Sequence, residues 1–183
     1  MSSNKALLII DMQKGSFTPK TPRYDTEGTV TRINHLANTF RKLDLPVIYI
    51  QHDGNGSGEF EKNTPTWEIL DELEVAATDI LIDKYANDVF YQSTLAATLK
   101  ALKVEELFIT GCATDFCVEA TVQSAIAKDY NITVVADGHT TGERPHMTAK
   151  DVIIHYNWVW RNMIPTKGKI KVRSLKEINQ RFN

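Results

Sequence analysis

The chain has 183 residues, the size of one ordinary domain that can bury a single core without disulfide or metal staples. A composition of 42% hydrophobic and 24% charged residues, with 9 Gly and 6 Pro, excludes disordered, collagen-like and low-complexity classes. The 21 Lys and Arg against 23 Asp and Glu form no block of like charge, so neither nucleic acid nor an anionic membrane is an expected partner.

The longest apolar run, residues 6–10, falls far short of the ~20 residues that span a bilayer, and no basic-then-apolar signal segment opens the chain. A cytoplasmic protein is expected. Two cysteines, Cys112 and Cys117, do not make a secreted disulfide framework, so their interest is chemical.

In chain order, residues 5–10 form an almost continuous apolar run ending at Asp11, the pattern of a central parallel strand buried on both faces. A polar, Pro-rich stretch over 14–24 precedes a helix capped by Asp25 or Thr26 and running to about Leu43, with Val30, Ile33, Leu36, Ala37, Phe40 and Leu43 on one face. Pro46 introduces a second strand at 47–51, followed by a Gly-rich loop at 53–58 that runs on to Pro65 and Trp67. Residues 79–83 predict a third strand, 93–103 a helix and 106–111 a fourth strand, after which Asp115 is placed to cap a helix to about Lys128. A fifth strand follows at 131–136. Thr148 with Asp151 three residues later resembles a capping box for a helix to about Met163, and a strand at 169–172 precedes a short terminal helix.

Strand and helix alternate without a repeat or linker, so residues 1–183 read as one α/β domain with a mostly parallel sheet, right-handed crossovers and helices on both faces. Ligands of such sheets sit beyond the carboxyl ends of the strands. That rule selects Asp11, His52, Lys84 and the segment 111–117. With Asp115 as the cap, Cys117 falls at the second helical position, where unpaired N–H groups and the macrodipole favour a thiolate; it reads as a nucleophile or as a small buried apolar residue. Cys112 ends a strand and suits packing. Asp11, held by a rigid strand, is either a general base or a turn-forming aspartate, and Lys84 is either a solvated lysine or a cation aimed into the same crevice.

Three segments together resemble the isochorismatase-like cysteine hydrolases. They are Asp-Met-Gln at 11–13 with Phe17 behind it, Lys84 with Phe90 six residues on, and Gly-Cys-Ala-Thr-Asp-Phe-Cys-Val-Glu-Ala-Thr at 111–121. The last matches Gly-x-x-Thr-x-x-Cys-Val-x-x-Thr position by position, and the resemblance covers about residues 5–164. It implies a Rossmann-like sheet and a catalytic triad of Asp11, Lys84 and Cys117. It also implies an oxyanion site at the backbone N–H groups of Ala113 and Cys117, and a cis peptide between Cys112 and Ala113.

The metal-binding branch of that family uses an Asp-x-His step and a further His. Here His52 and Asp53 are adjacent in the opposite order, and no histidine follows until His139, so no metal and no cofactor is expected. Cys117 favours hydrolysis of a C–N bond in a small amide or ureide through a thioester. An isochorismatase-type enol-ether hydrolase and a catalytically silent small-molecule binder are the alternatives. A dinucleotide module would need a Gly-rich turn where Asp-Met-Gln-Lys-Gly stands, and a phosphoacceptor switch would need a lysine where Ala136-Asp137-Gly138 stands.

His52 is placed for substrate contact, and Phe17, Trp67, Tyr85 and Phe116 flank the motifs as possible pocket walls or as core. The aromatic-rich stretch 158–163 reads as core packing or as the face of a homo-oligomer. Because the metal-binding step is missing, dialysis against a strong chelator is expected to leave the hydrolytic rate unchanged; a loss restored by zinc, manganese or iron would reveal unrecognised ligands.

Overall fold

A computed structural model describes residues 4–54 and 56–182. Six parallel strands, β1 (Lys5–Ile10), β2 (Val47–His52), β3 (Ile80–Lys84), β4 (Glu106–Cys112), β5 (Asn131–Thr140) and β6 (Ile170–Arg173), form one sheet in the order β3-β2-β1-β4-β5-β6. The chain direction across the sheet reverses at β1 and β4, and such a switch opens a crevice at the carboxyl ends.

Side chains alternate across β1, and each face has its own core. Ala6, Leu8 and Ile10 pack with residues of α2 (Leu95–Ala101), α3 (Glu119–Ala127) and α4 (Ala149–Asn162), whereas Leu7 and Ile9 pack with α1 (Thr26–Lys42) and α5 (Leu175–Phe182). All five are fully buried, at about 1.5–3 kcal/mol for each of the larger ones, which is why β1 is apolar without alternation. The predicted face of α1 is buried from Val30 to Phe40, but Leu43 stands past the last helical residue and is 44% exposed.

Several local expectations are corrected. Asp25 precedes α1 in a left-handed conformation and caps nothing with its side chain; its carboxylate pairs with Arg32 instead. Lys84 is the last residue of β3 rather than one past it. The helix predicted over 93–103 is shorter, with the Ser93 hydroxyl accepting from the Leu95 N–H. β5 runs beyond Ala136, because pairing with β4 resumes at Gly111 and His139 after a bulge. Asp137, one residue past the predicted end of the strand, accepts from the Leu175 N–H at the start of α5. Thr148 behaves as predicted, accepting from the Asp151 N–H at 3.1 Å. Within the 158–163 stretch, Trp160 is fully buried in the core and Trp158 is 62% exposed. No helix among the described residues is long and apolar enough to cross a membrane.

At the switch point β4 lies against β1 so closely that only glycine fits at position 111. Gly111 has φ +120°, and a Cβ there would stand 2.2 Å from the Ile10 carbonyl oxygen and 2.5 Å from its nitrogen, neither of which can yield. Gly111→Ala is expected to cost at least about 3 kcal/mol in urea unfolding, and Gly56→Ala, in open space at φ +89°, about 1–2 kcal/mol. Equal midpoints for the two variants would show that the β1–β4 approach is not the constraint.

Candidate active site

Three parallel strands deliver the polar residues of the site to one edge. Asp11 follows β1 directly at φ +48°, its N–H bonded to the Ile50 carbonyl at 2.9 Å and its side chain only 8% exposed. Lys84, at the end of β3, is fully buried with Nζ 2.8 Å from Asp11 Oδ2, 2.9 Å from the Ala86 carbonyl and 3.3 Å from Cys117 Sγ. Asp11 Oδ1 is buried and has no hydrogen-bond partner among the described residues. Burial alone would pull the Lys84 ammonium down, but the Asp11 carboxylate and the Cys117 sulfur outweigh it and its pKa stands above the usual lysine value.

Between them, β2 ends at His52, whose Nδ1 lies 3.4 Å from Lys84 Nζ. Burial and then the Lys84 charge hold His52 below the ordinary imidazole pKa, so it is neutral at pH 7. Gln13 ties this corner together. Its amide nitrogen donates to the His52 and Trp67 carbonyls at 3.0 and 2.8 Å, and its oxygen accepts from the His52 N–H at 2.7 Å.

Cys117 comes from a different kind of element. The Cys112–Ala113 peptide is cis, and the chain then makes a π turn over Thr114–Val118, closed by the Val118 N–H donating to the Ala113 carbonyl at 3.1 Å. Asp115 therefore does not cap a helix. It accepts from Thr141 Oγ1 at 2.7 Å and from Arg144 Nε and Nη2 at 2.7 and 2.8 Å; burial opposes the charge, yet these bonds hold its pKa below the usual carboxylate value. Cys117 stands in the π turn rather than at a second helical position. Burial and then the Asp11 carboxylate push its thiol up, against the pull of Lys84, so the resting group is the thiol. Cys112 is 1% exposed and burial pushes it up to about 12.

A chain of bonds supports the π turn from beneath. Asn157 donates to the Ala136 carbonyl at 2.9 Å, which leaves its oxygen facing His139 Nε2 at 3.2 Å. His139 Nε2 thus carries the proton, and Nδ1 accepts from Thr114 Oγ1 at 2.9 Å. Burial pulls His139 down to about 4.

Asp11 and Cys117 border a cavity of about 400 Å³ whose walls also include His52, Cys112, Ala113 and Phe116, while Lys84 is fully buried and not part of the lining. Of the other predicted contacts, Phe17, Trp67 and Tyr85 are not in its lining. Phe17 packs against the α1-side core, Trp67 lies under Lys62 with the ammonium 5.7 Å from its ring centroid, and Tyr85 is 43% exposed. Sequence reading missed Ser16, Thr21, Arg23, Phe60, Asn87 and Arg144, which complete the wall. A second cavity, of about 450 Å³, lies at the opposite sheet edge among Leu45, Phe108 and Phe182, with neither thiol nor histidine in its lining. Among the described residues no set of three His, Cys, Asp or Glu side chains converges to hold a metal ion.

The isochorismatase domain description matches residues 5–159, most of the chain. The chain belongs to the isochorismatase family. The isochorismatase family protein YddQ of Bacillus subtilis is 31% identical over 139 residues, covering 74% of this chain and 77% of that one. Streptothricin hydrolase of Streptomyces noursei is 26% identical over 141 residues, 77% of this chain, which spans only 51% of that longer protein. Ureidoacrylate amidohydrolase RutB of Stutzerimonas stutzeri is 26% identical over 179 residues, covering 77% and 72%. A crystal structure of an isochorismatase family protein superposes with a TM-score of 0.86 at 27% identity, covering 95% of this chain and 100% of that one. These matches support a hydrolase.

In this isochorismatase-family chain His139 is neutral when folded, with a pKa near 4 against 6.5 for an unperturbed imidazole. A depressed pKa stabilises the fold fully above the unfolded value, and that stability disappears as pH falls from about 6.5 towards 4. The loss should be on the order of 3 kcal/mol. His139→Gln, which keeps a donor and an acceptor, is expected to flatten this part of the urea-stability profile. An identical slope in the variant would show that His139 is not the titrating group.

Proposed function

We propose that the protein is a cysteine-dependent amidohydrolase that opens the C–N bond of a small amide or ureide through a thioester on Cys117. The observation that carries this reading is the buried Lys84 ammonium, 2.8 Å from Asp11 and 3.3 Å from Cys117 Sγ, with the second Asp11 oxygen free to take a proton. Nucleophile, base and orienting cation thus occupy one contact network.

With the thiol protonated at rest, the first step is proton transfer from Cys117 to Asp11, and Lys84 offsets the charge that forms on sulfur. The thiolate then attacks the carbonyl carbon. The developing oxyanion is assigned to the backbone N–H groups of Ala113 and Cys117, where fixed donors act without reorganisation. Asp11 returns its proton to the departing nitrogen, and the amine or ammonia leaves. The carboxylate next takes a proton from water as the water oxygen attacks the thioester; the tetrahedral adduct collapses to the acid and the thiolate, and Asp11 returns the proton to sulfur, restoring the thiol. The names of two relatives, an amidohydrolase and a hydrolase, agree with this chemistry. Enol-ether hydrolysis, which needs an acid but no thiol, leaves the contact between Cys117 and Lys84 without a use.

Screening small amides and ureides for released ammonia or amine tests the reaction class. Against any substrate found, Asp11→Asn is expected to lose ~10²–10⁴-fold or more in kcat while remaining folded, because the base is gone and a hydrogen-bonding edge stays. Near-normal turnover in that variant would sink the mechanism. Lys84→Met should raise the apparent pKa of the rate profile and slow iodoacetamide labelling of Cys117 near neutral pH. It should also lower stability by about 3–5 kcal/mol, since Asp11 is left buried and unpaired. An unchanged pH profile would remove Lys84 from the chemistry.

A further inference from the structure

The cleft wall carries two arginines that the proposed chemistry does not use, Arg23 and Arg144, and of the two Arg23 has no carboxylate partner among the described residues. Arg23 is half-buried in the wall of the same cavity as Cys117, and its Nε donates to the Ser16 carbonyl at 2.7 Å. Its two Nη groups bond to nothing among the described residues, and no carboxylate there pairs with it. The other charges in the wall are matched, since Asp11 is held by Lys84 and Arg144 by Asp115.

Arg23 is also close to a second guanidinium. A Cβ built on Gly142 would stand 3.0 Å from Arg23 Nη1 and 3.7 Å from Arg144 Nη1, so the two nitrogens are less than about 7 Å apart. The absence of a side chain at Gly142 leaves the space beside both guanidinium groups open. Arg144 is spoken for by its two bonds to Asp115, whereas Arg23 keeps its full charge at the cavity wall. That charge reaches the floor of the cleft, where it pulls the Cys112 thiol down against burial.

An adjoining cavity of about 420 Å³ shares Ser16, Thr21, Arg23 and Phe60 with the first. Arg23 thus marks the neck between a lobe holding the thiol and a lobe holding none of the triad. A substrate that reacts at Cys117 and extends past this neck presents its far group to the free Nη donors. A planar guanidinium with two free nitrogens matches a carboxylate better than a neutral amide, because charge assistance roughly doubles the strength of each hydrogen bond.

We infer that Arg23 is a specificity-determining residue and that the cleft takes amides carrying a carboxylate remote from the scissile bond. This inference rests on the amidohydrolase reading for the word amide; the anion site itself does not.

Two readouts separate the claims. In the first, wild-type enzyme is compared on monoamides of four- to six-carbon dicarboxylic acids (succinamate, glutaramate, adipamate) and on the matching neutral diamides. We expect kcat/KM to favour at least one acidic monoamide by tenfold or more. Arg23→Met should reduce that acid-to-neutral ratio at least tenfold, and Arg23→Lys should restore part of it. The second readout needs no turnover: succinate, glutarate or adipate should protect Cys117 from iodoacetamide, at concentrations at least tenfold higher in Arg23→Met than in wild type.

Loss on acidic and neutral amides alike, or a wild-type preference for the diamides, overturns the inference and leaves the amidohydrolase reading standing. Absence of dicarboxylate protection, or protection unaffected by Arg23→Met, overturns it as well. Arg23-dependent protection with no hydrolysis of either amide series upholds the anion site and sinks the amidohydrolase reading instead.

Discussion

A lysine ammonium with no exposure to water must be surrounded by acceptors, and the architecture of the carboxyl edge follows from meeting that requirement. Lys84 finds Asp11 at 2.8 Å and the Ala86 carbonyl at 2.9 Å, with sulfur and imidazole completing the shell at 3.3 and 3.4 Å. Taking an ammonium and a carboxylate out of water costs several kcal/mol per ion, and mutual attraction offsets that only in good geometry. The geometry comes from register. β2 separates β1 from β3, so the pairings Ile10↔Ile50 and His52↔Lys84 must both hold for Asp11 and Lys84 to meet across it. The fully buried apolar residues of β1 and β2 oppose any slip, because a one-residue shift would turn each strand's side chains to the wrong face.

The thiol is brought to this pair by an element with the opposite character. Where the strands are held by continuous apolar burial, the π turn over Thr114–Val118 is held by polar bonds. Thr114 is fixed by His139 and Asn157, and Asp115 by Thr141 and Arg144. These partners lie on β5, on α4 and in the loop between them, so helix α4 and the bulged end of β5 act as the foundation of the segment that carries Cys117. Trp160 reinforces the same corner, its ring edge-on to His139 with centroids 5.2 Å apart and its indole N–H donating to Glu119.

The parts of this design that were legible in the sequence are those set by local pattern. Buried parallel strands produce unbroken apolar runs, and the residues that end them, Asp11, His52 and Lys84, necessarily stand at one edge. The Thr148 capping box was legible for the same reason. Asp115 misled because its sequence context suits an N-cap, while its carboxylate is claimed by Arg144 from 29 residues away. The end of β5 was lost because Asp137-Gly138 carries a breaker's signal, although the bulge absorbs it and the pairing resumes. Proximity in sequence to a motif proved a poor guide to the pocket wall. Tyr85 is the first residue past β3, where the chain bends away, and its side chain is left exposed beside a buried Lys84. Arg23, Phe60 and Arg144 belong to loops with no periodicity, and only the folded chain places them around Cys117.

The charges left in the cleft connect the resting state to the reaction. Asp11 is balanced by Lys84 and Arg144 by Asp115, and His52 is neutral, so Arg23 supplies the uncompensated charge of the wall. In an empty cleft that charge faces water at modest cost, being only half-buried. When a substrate excludes the water, the effective dielectric falls and an unpaired guanidinium becomes expensive to enclose. A carboxylate on the substrate removes this penalty, whereas a neutral amide leaves it in place. On the proposed role of Arg23, discrimination would arise as much from the unpaired cation that a wrong substrate would trap as from the bond that a right one forms. In the mechanism proposed above, the same exclusion of water would strengthen the hold of Lys84 on a developing thiolate and so lower the cost of the first proton transfer, from a thiol that burial and Asp11 otherwise keep protonated.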